Sequence, residues 1–173
     1  LDLDNLKPTN RPSSIVNRQS QSAFTLIELM IVVSILGILA AIVYPEFQGH
    51  VQQAKEAQAK ANLKLLREAI ERYAAEHGGV PPGHISNNPN NPPTFVILQN
   101  QLTVTKKYLS TLPKNPFSDQ SIIRVLSSEQ TLDEATAAIY SPFDAGWIYH
   151  PATKSIKLNW PGTDSQGVKF FDY

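Results

Sequence analysis

FTLIELMIVVSILGILAAIV, Phe24 to Val43, is a run of 20 residues with a single ionised side chain, Glu28. About 20 consecutive apolar residues suffice for a helix to cross a bilayer. A carboxylate in such a run costs on the order of 2.5–3.5 kcal/mol at the helix centre, less near an end, and rarely stands there without a partner. The run therefore predicts a membrane helix over 24–44 whose charge needs an opposite charge close by. A plain signal anchor, with its glutamate among the headgroups, is one reading. The residues in front of the run argue for another.

An ordinary secretory signal is cut after its apolar region, at small residues. Here the small-residue site near the run, Ser22-Ala23, precedes it. The polar leader 1–23 carries Lys7, Arg11 and Arg18, and no lysine or arginine follows until Lys55. By the positive-inside rule the leader stays cytoplasmic and the bulk of the chain faces outward. A cut after Ala23 leaves the apolar helix on the mature protein and a new amine on Phe24, four residues before Glu28.

Ala23-Phe24-Thr25-Leu26-Ile27-Glu28, followed by LMIVVSILGILAAIVYP, resembles the class III signal of type IV pilins and type II secretion pseudopilins. The likeness includes glutamate at the fifth mature position, a glycine (Gly37) and a helix proline (Pro45). It implies cleavage between Ala23 and Phe24 by a prepilin peptidase, N-methylation of Phe24, and assembly into a helical filament. Two departures are visible: alanine stands where the family usually has glycine, and the leader is longer than most. The implied fold is α+β and type IV pilin-like, a long N-terminal helix packed on a small C-terminal antiparallel β-sheet.

The physics of Glu28 agrees with that assignment. A carboxylate in the first turn of a helix is favoured by the helix dipole, by about 0.3–1 kcal/mol in exposed settings. The Phe24 amine is disfavoured by the same dipole. Among parallel helices, the amine of one subunit can meet Glu28 of the next, a desolvated pair that specifies register more than it adds stability. Glu28 is thus expected to align subunits.

Removing 23 of the 173 residues leaves 150, enough for one domain and an anchor. Lysine plus arginine then falls from 15 to 12 and aspartate plus glutamate from 15 to 13, so the mature charge is near −1. No basic stripe with interleaved aromatics requires nucleic acid. The chain has no cysteine, although disulfides could persist on the outward side. Many type IV pilins staple a C-terminal loop with a disulfide; its absence tilts the resemblance toward the pseudopilins.

Beyond Pro45, which removes a backbone hydrogen bond and predicts loosening near Ala41, the residues 45–79 read as an amphipathic continuation. Phe47, Val51, Ala54, Ala61, Leu65, Leu66, Ala69, Ile70 and Tyr73 fall at spacings of three and four and predict one core-facing stripe. A coiled coil is the alternative, but alanines and Gln52, Gln53 and Gln58 interrupt a sustained heptad. Glu56-Lys60, Lys64-Glu68 and Glu68-Arg72 are spaced for i,i+4 pairing. Gly78-Gly79 ends the helix, and Pro81-Pro82 prevents its continuation.

The stretch 80–173 completes the head. VPPGHISNNPNNPP, 80–93, reads as a loop with too few apolar residues to bury, and 94–110 as a short helix or irregular packed segment. Pro113 and Pro116 hold the chain extended and dock Leu112 and Phe117, in a segment that echoes the family's connection from helix to sheet. Ile122, Ile123 and Val125 suggest a short strand, and SSEQTLDEATAA after it a loop or short helix. Gly146–His150 and Ser155–Trp160 flank Pro151–Lys154 as a hairpin. Ile156 and Leu158 point inward there, with Lys157 and Asn159 toward water.

Catalytic chemistry is sparse. His50, His77, His84 and His150 are scattered, with none at metal-ligand spacing. Asp164, Ser165 and Asp172 could supply oxygens to a cation, but a plain solvated turn explains them, and no metal or other cofactor is assigned. The expectation is a non-enzymatic structural subunit of a type II secretion pseudopilus, cut at Ala23–Phe24 and aligned through Glu28, with Gly37 and Pro45 letting the helix flex. Its partners would be copies of itself, minor pseudopilins, inner-membrane assembly proteins and the peptidase. It would be single-pass in a bacterial inner membrane, with its amino end cytoplasmic and its head periplasmic or extracellular. A type IV pilin for adhesion, motility or DNA uptake is the alternative, followed by a signal-anchored binding domain or enzyme.

Overall fold

The computed structural model describes residues 24–104 and 107–173; the leader, with Ala23, lies outside the described residues. The described residues fall into two compact units, 24–43 and 44–173. Its principal helix, α1, runs Leu26–Glu76 and is continuous through Pro45. At its far end Gly78 and Gly79 both take positive φ, +66° and +89°. Gly79 N–H donates to the Ala74 carbonyl at 2.8 Å, the six-to-one bond of a glycine-terminated helix.

In the first unit the described residues are all exposed. They include an apolar window long enough to cross a membrane, none of it buried within the chain. Such a surface has no place in water unless lipid or other helices cover it.

In the second unit, α1 buries a row made of Glu56, Ala59, Leu63, Leu66, Ile70 and Tyr73. This row, spaced 3-4-3-4-3, differs in phase from the expected stripe. Leu66, Ala69, Ile70 and Tyr73 are buried as expected, whereas Phe47, Val51 and Leu65 are 63%, 38% and 44% exposed, and Ala54 and Ala61 are exposed as well. The core row packs with Leu98 and Leu102 of the helix α2 (Phe95–Thr103) and with Ile123, Trp147, Tyr149, Ile156 and Leu158 of the sheet. Thr94 caps α2, its hydroxyl accepting from Ile97 N–H at 3.4 Å.

Three short strands form the sheet, in the order β1 (Ile123–Val125), β2 (Trp147–His150), β3 (Ser155–Leu158). β2 and β3 are the expected antiparallel hairpin, with Trp147 opposite Leu158 and Tyr149 opposite Ile156. β1, however, pairs with β2 in parallel, Ile123 opposite Trp147. The sheet is therefore mixed, which corrects the purely antiparallel expectation. The reason lies in the connection: residues 126–146, including the helix α3 (Glu134–Ala138), form a crossover, and parallel pairs need one of a dozen or more residues. All four residues of β2 are buried, because α1 covers one face and Leu126, Ala137 and Ile148 form a second small core on the other.

Two buried asparagines escaped the alternation pattern. Asn115, fully buried, donates from Nδ2 to the Gly146 carbonyl at 3.0 Å and accepts from Phe117 N–H at 2.9 Å. Asn159, expected in water, is 5% exposed and donates to the carbonyls of Ser141 and Ala145. Gly146 lets these segments meet: a Cβ there would lie 2.3 Å from the Gln120 carbonyl oxygen. The loop 80–93 is also more buried than expected at Pro82–His84. Gln101 of α2 holds it there, accepting from Gly83 N–H at 2.6 Å and donating to the His84 carbonyl at 2.8 Å.

Candidate functional site

Entry into α1 is built as a capping box, in which a hydroxyl at the cap and a carboxylate three residues on satisfy each other's backbone donors. Glu28 Oε2 accepts from Thr25 N–H at 2.7 Å and from the Thr25 hydroxyl at 2.8 Å. Thr25 Oγ1 in turn faces Glu28 N–H at 3.3 Å. All the bonds that the carboxylate accepts fall on Oε2, and the side chain is exposed. The carboxylate is thus fixed at the start of the helix, one oxygen engaged. Gly37 and Pro45 lie in the helix interior; space around Gly37 is open, and a Cβ added there would meet nothing within 4 Å.

A second constellation, invisible in the sequence pattern, ties the last described segment to α1. Glu56 is 6% exposed; it accepts from Ser165 N–H at 3.0 Å and from the Ser165 hydroxyl at 2.7 Å. The expected Glu56–Lys60 pair is not made: Lys60 turns to Asp164 at 3.3 Å and lies over the Tyr173 ring, 4.2 Å from its centroid. Lys64–Glu68 does approach, at 3.9 Å. Arg67 donates to the carbonyls of Ile156 and Tyr173. The signal available was position: Glu56 stands on the same row as Ala59, Leu63 and Leu66, so its buried charge needs donors, which Gln52 of the same helix supplies at 2.9 Å together with Ser165.

Asp164 is the hub of that segment. It accepts from the Tyr173 hydroxyl at 2.7 Å, from Val168 N–H at 2.8 Å and from Gln166 N–H at 2.9 Å. These bonds, the Tyr173 hydroxyl foremost and Lys60 in support, outweigh burial and hold its carboxyl at about 2. The ordinary aspartate value is about 3.9, so between these values the unfolded chain binds the extra proton and stability rises with pH. The contribution is complete above the unfolded value and is lost as pH falls toward about 2. Thermal unfolding of the full chain in detergent micelles should show this, with a steeper loss between about pH 4 and pH 2 in the parent than in Asp164→Asn. Equal slopes would remove Asp164 from that role.

The histidines have local duties. His77 stacks on Tyr73 with centroids 3.9 Å apart; His84 Nδ1 meets the Asn91 carbonyl at 2.7 Å; His150 Nδ1 meets the Thr153 hydroxyl at 2.9 Å; His50 lies 3.7 Å from Glu46. Among the described residues no group of three or more histidines and carboxylates converges as a metal site. Asp164 and Ser165 have their oxygens committed to protein donors or to Glu56.

Among the described residues one N-terminal apolar helix is long enough to cross a membrane, and in the second unit α1 and α2 pack on a small mixed sheet; together these define the class, an α+β protein with an N-terminal membrane-anchoring helix. Residues 18–44 match the prokaryotic N-terminal methylation motif. The chain is 44% identical over 66 residues to the type II secretion system core protein G of Pseudomonas aeruginosa, covering 38% of this chain and 46% of that protein. It is 38% identical over 76 residues to the type IV major pilin protein PilE1 of Neisseria gonorrhoeae, covering 44% and 46%. To the prepilin peptidase-dependent protein D of Escherichia coli it is 31% identical over 103 residues, 60% of this chain and 70% of that one. With the first two it shares just under half of the relative's length. No solved structure matches. The chain belongs to the type IV pilin and type II secretion pseudopilin family.

Proposed function

We propose that the chain is a structural, non-enzymatic subunit of a type II secretion pseudopilus. The observation that carries the proposal is the exposed Glu28 carboxylate, fixed by Thr25 at the mouth of an uncovered apolar helix. After cleavage between Ala23 and Phe24 by a prepilin peptidase, the new Phe24 amine, N-methylated, supplies the cation that Glu28 lacks. Supplied by a neighbouring subunit, that cation neutralises Glu28 only when two helices are in register. Gly37 and Pro45 give the helix its points of flexure as it passes from lipid into a bundle of like helices. The leader would remain cytoplasmic and the head outward, with minor pseudopilins and inner-membrane assembly proteins as further partners.

Likeness to protein G supports the secretion reading, as does the absence of cysteine. Likeness to PilE1 favours a second reading, a surface pilin sharing the same helix chemistry. Mass spectrometry of chain purified from membranes tests what both have in common. The expected N-terminal peptide begins at Phe24 and carries one added methyl group on that residue. An intact leader, or an unmodified Phe24 in assembled material, would overturn the processing step.

A further inference from the structure

Where α1 and α2 end, the head carries an open groove of about 840 Å³, lined by both helices and by Lys107 and Tyr108. Small-molecule sites commonly have volumes of about 300–1,000 Å³. Part of the lining is apolar: Val104 is 70% exposed, and the half-buried Tyr108 ring stands T-shaped to Tyr73, centroids 5.4 Å apart. The charges on the lining cancel. Glu76 Oε2 accepts from Lys107 Nζ at 2.5 Å and from the Tyr108 hydroxyl. Those two donors, Lys107 foremost, hold the Glu76 carboxyl below the usual carboxylate range. Burial, and after it Glu76, pushes the Tyr108 hydroxyl up to about 12, so it remains a donor.

What is left on the lining is a surplus of acceptors. Glu76 Oε1 takes part in no hydrogen bond among the described residues. His77 Nδ1 meets the Tyr73 carbonyl at 2.8 Å. A carbonyl only accepts, so Nδ1 carries the proton and Nε2 of the neutral ring is an acceptor. The Asn100 side chain, exposed on α2, is likewise unengaged among the described residues. Its amide offers an acceptor and two donors in one plane.

We propose that this groove binds an uncharged oligosaccharide. Surplus acceptors call for a ligand rich in hydroxyl donors, which disfavours carboxylates and phosphates, since these bring further acceptors. Nucleic acid needs cations free to meet its phosphates, whereas Lys107 is already spent on Glu76. A helical peptide needs an apolar groove for anchors three and four residues apart, and here polar side chains interrupt the apolar surface. A sugar ring meets both halves of the lining. Its hydroxyls donate to Glu76, His77 and Asn100, while its C–H face lies on Val104 and Tyr108. Such binding belongs to the head and is independent of whether the chain enters a fibre.

The full chain, in micelles of a detergent without a sugar headgroup, permits a direct test. Cellohexaose and chitohexaose serve as uncharged probes, and hexagalacturonate as the charged control. Titration calorimetry should give a dissociation constant of about 1 mM or tighter for at least one uncharged probe. Hexagalacturonate should bind at least about tenfold more weakly. A preference between the two uncharged probes tells a plain glucan from an N-acetylated glycan. Asn100→Ala should weaken binding by about three- to tenfold, the loss of one hydrogen bond. Its melting temperature should stay at or above the parent value, because alanine favours the helix. During titration of the parent chain the Val104 methyl resonances should shift. No binding of either uncharged probe at about 10 mM, unmoved Val104 methyls, or equal affinity in Asn100→Ala would overturn the site. Tighter binding of hexagalacturonate would overturn the ligand class.

Discussion

Glu28→Ala should leave the chain in the membrane and remove it from fibres. The substitution makes the run Phe24–Val43 wholly apolar, so insertion becomes no harder. On the proposed alignment role, what it takes away is the acceptor for the Phe24 amine. Breaking one side of a desolvated ion pair costs about 3–5 kcal/mol, because the remaining charge stays buried without a partner. On an assembly equilibrium that is about a hundredfold or more. Fractionation followed by fibre shearing reads both quantities: membrane-bound chain near the parent level, and fibre-bound chain reduced to trace. Glu28→Gln should behave almost as badly, since an amide keeps the shape and loses the charge. Parent-level fibre yield from either variant would refute the alignment role.

Trp147→Ala should be the most damaging single change in the head. Trp147 is fully buried in the central strand, between Ile123 and Leu158. Its indole N–H donates to the Pro113 carbonyl at 3.0 Å, so one side chain joins the sheet to the connection that follows α2. Truncating a buried tryptophan costs about 3–5 kcal/mol, and the Pro113 carbonyl loses its donor besides. For a unit of this size the melting temperature should fall by about 10 °C or more. Phe143, 68% exposed, serves as the contrast: Phe143→Ala should stay within about 0.5 kcal/mol of the parent. Similar melting for the two variants would mean that the core does not hinge on Trp147.

Legibility followed the range of the interactions. Phe24–Val43 could be read outright because an apolar run of that length with one acid is a local fact. The hairpin was legible for the same reason, its strands and turn lying within one short stretch, Trp147 to Leu158. The phase of α1 beyond Pro45 was not. Two rows on that helix carry apolar residues at spacings of three and four, and the one that faces the sheet begins with Glu56. A charge at its head disguised it, because Ser165, which with Gln52 satisfies Glu56, is 109 residues away. Asn115 and Asn159 were hidden likewise, each serving backbone carbonyls of a distant segment. The parallel sense of β1 could not be seen either, since side-chain alternation looks the same whichever way a strand runs.

The crossover between β1 and β2 also sets an order of events. β2 and β3 are joined by a tight link, and such hairpins close in about 1–10 μs. β1 can add only after a loop of roughly twenty residues has closed, which costs more chain entropy before any contact repays it. Loop closure thus favours a head that begins at its hairpin and adds β1, Ile123–Val125, last. Until then one edge of β2 stands open, and a chain detained at that stage presents neighbours with a ready template for the wrong pairing.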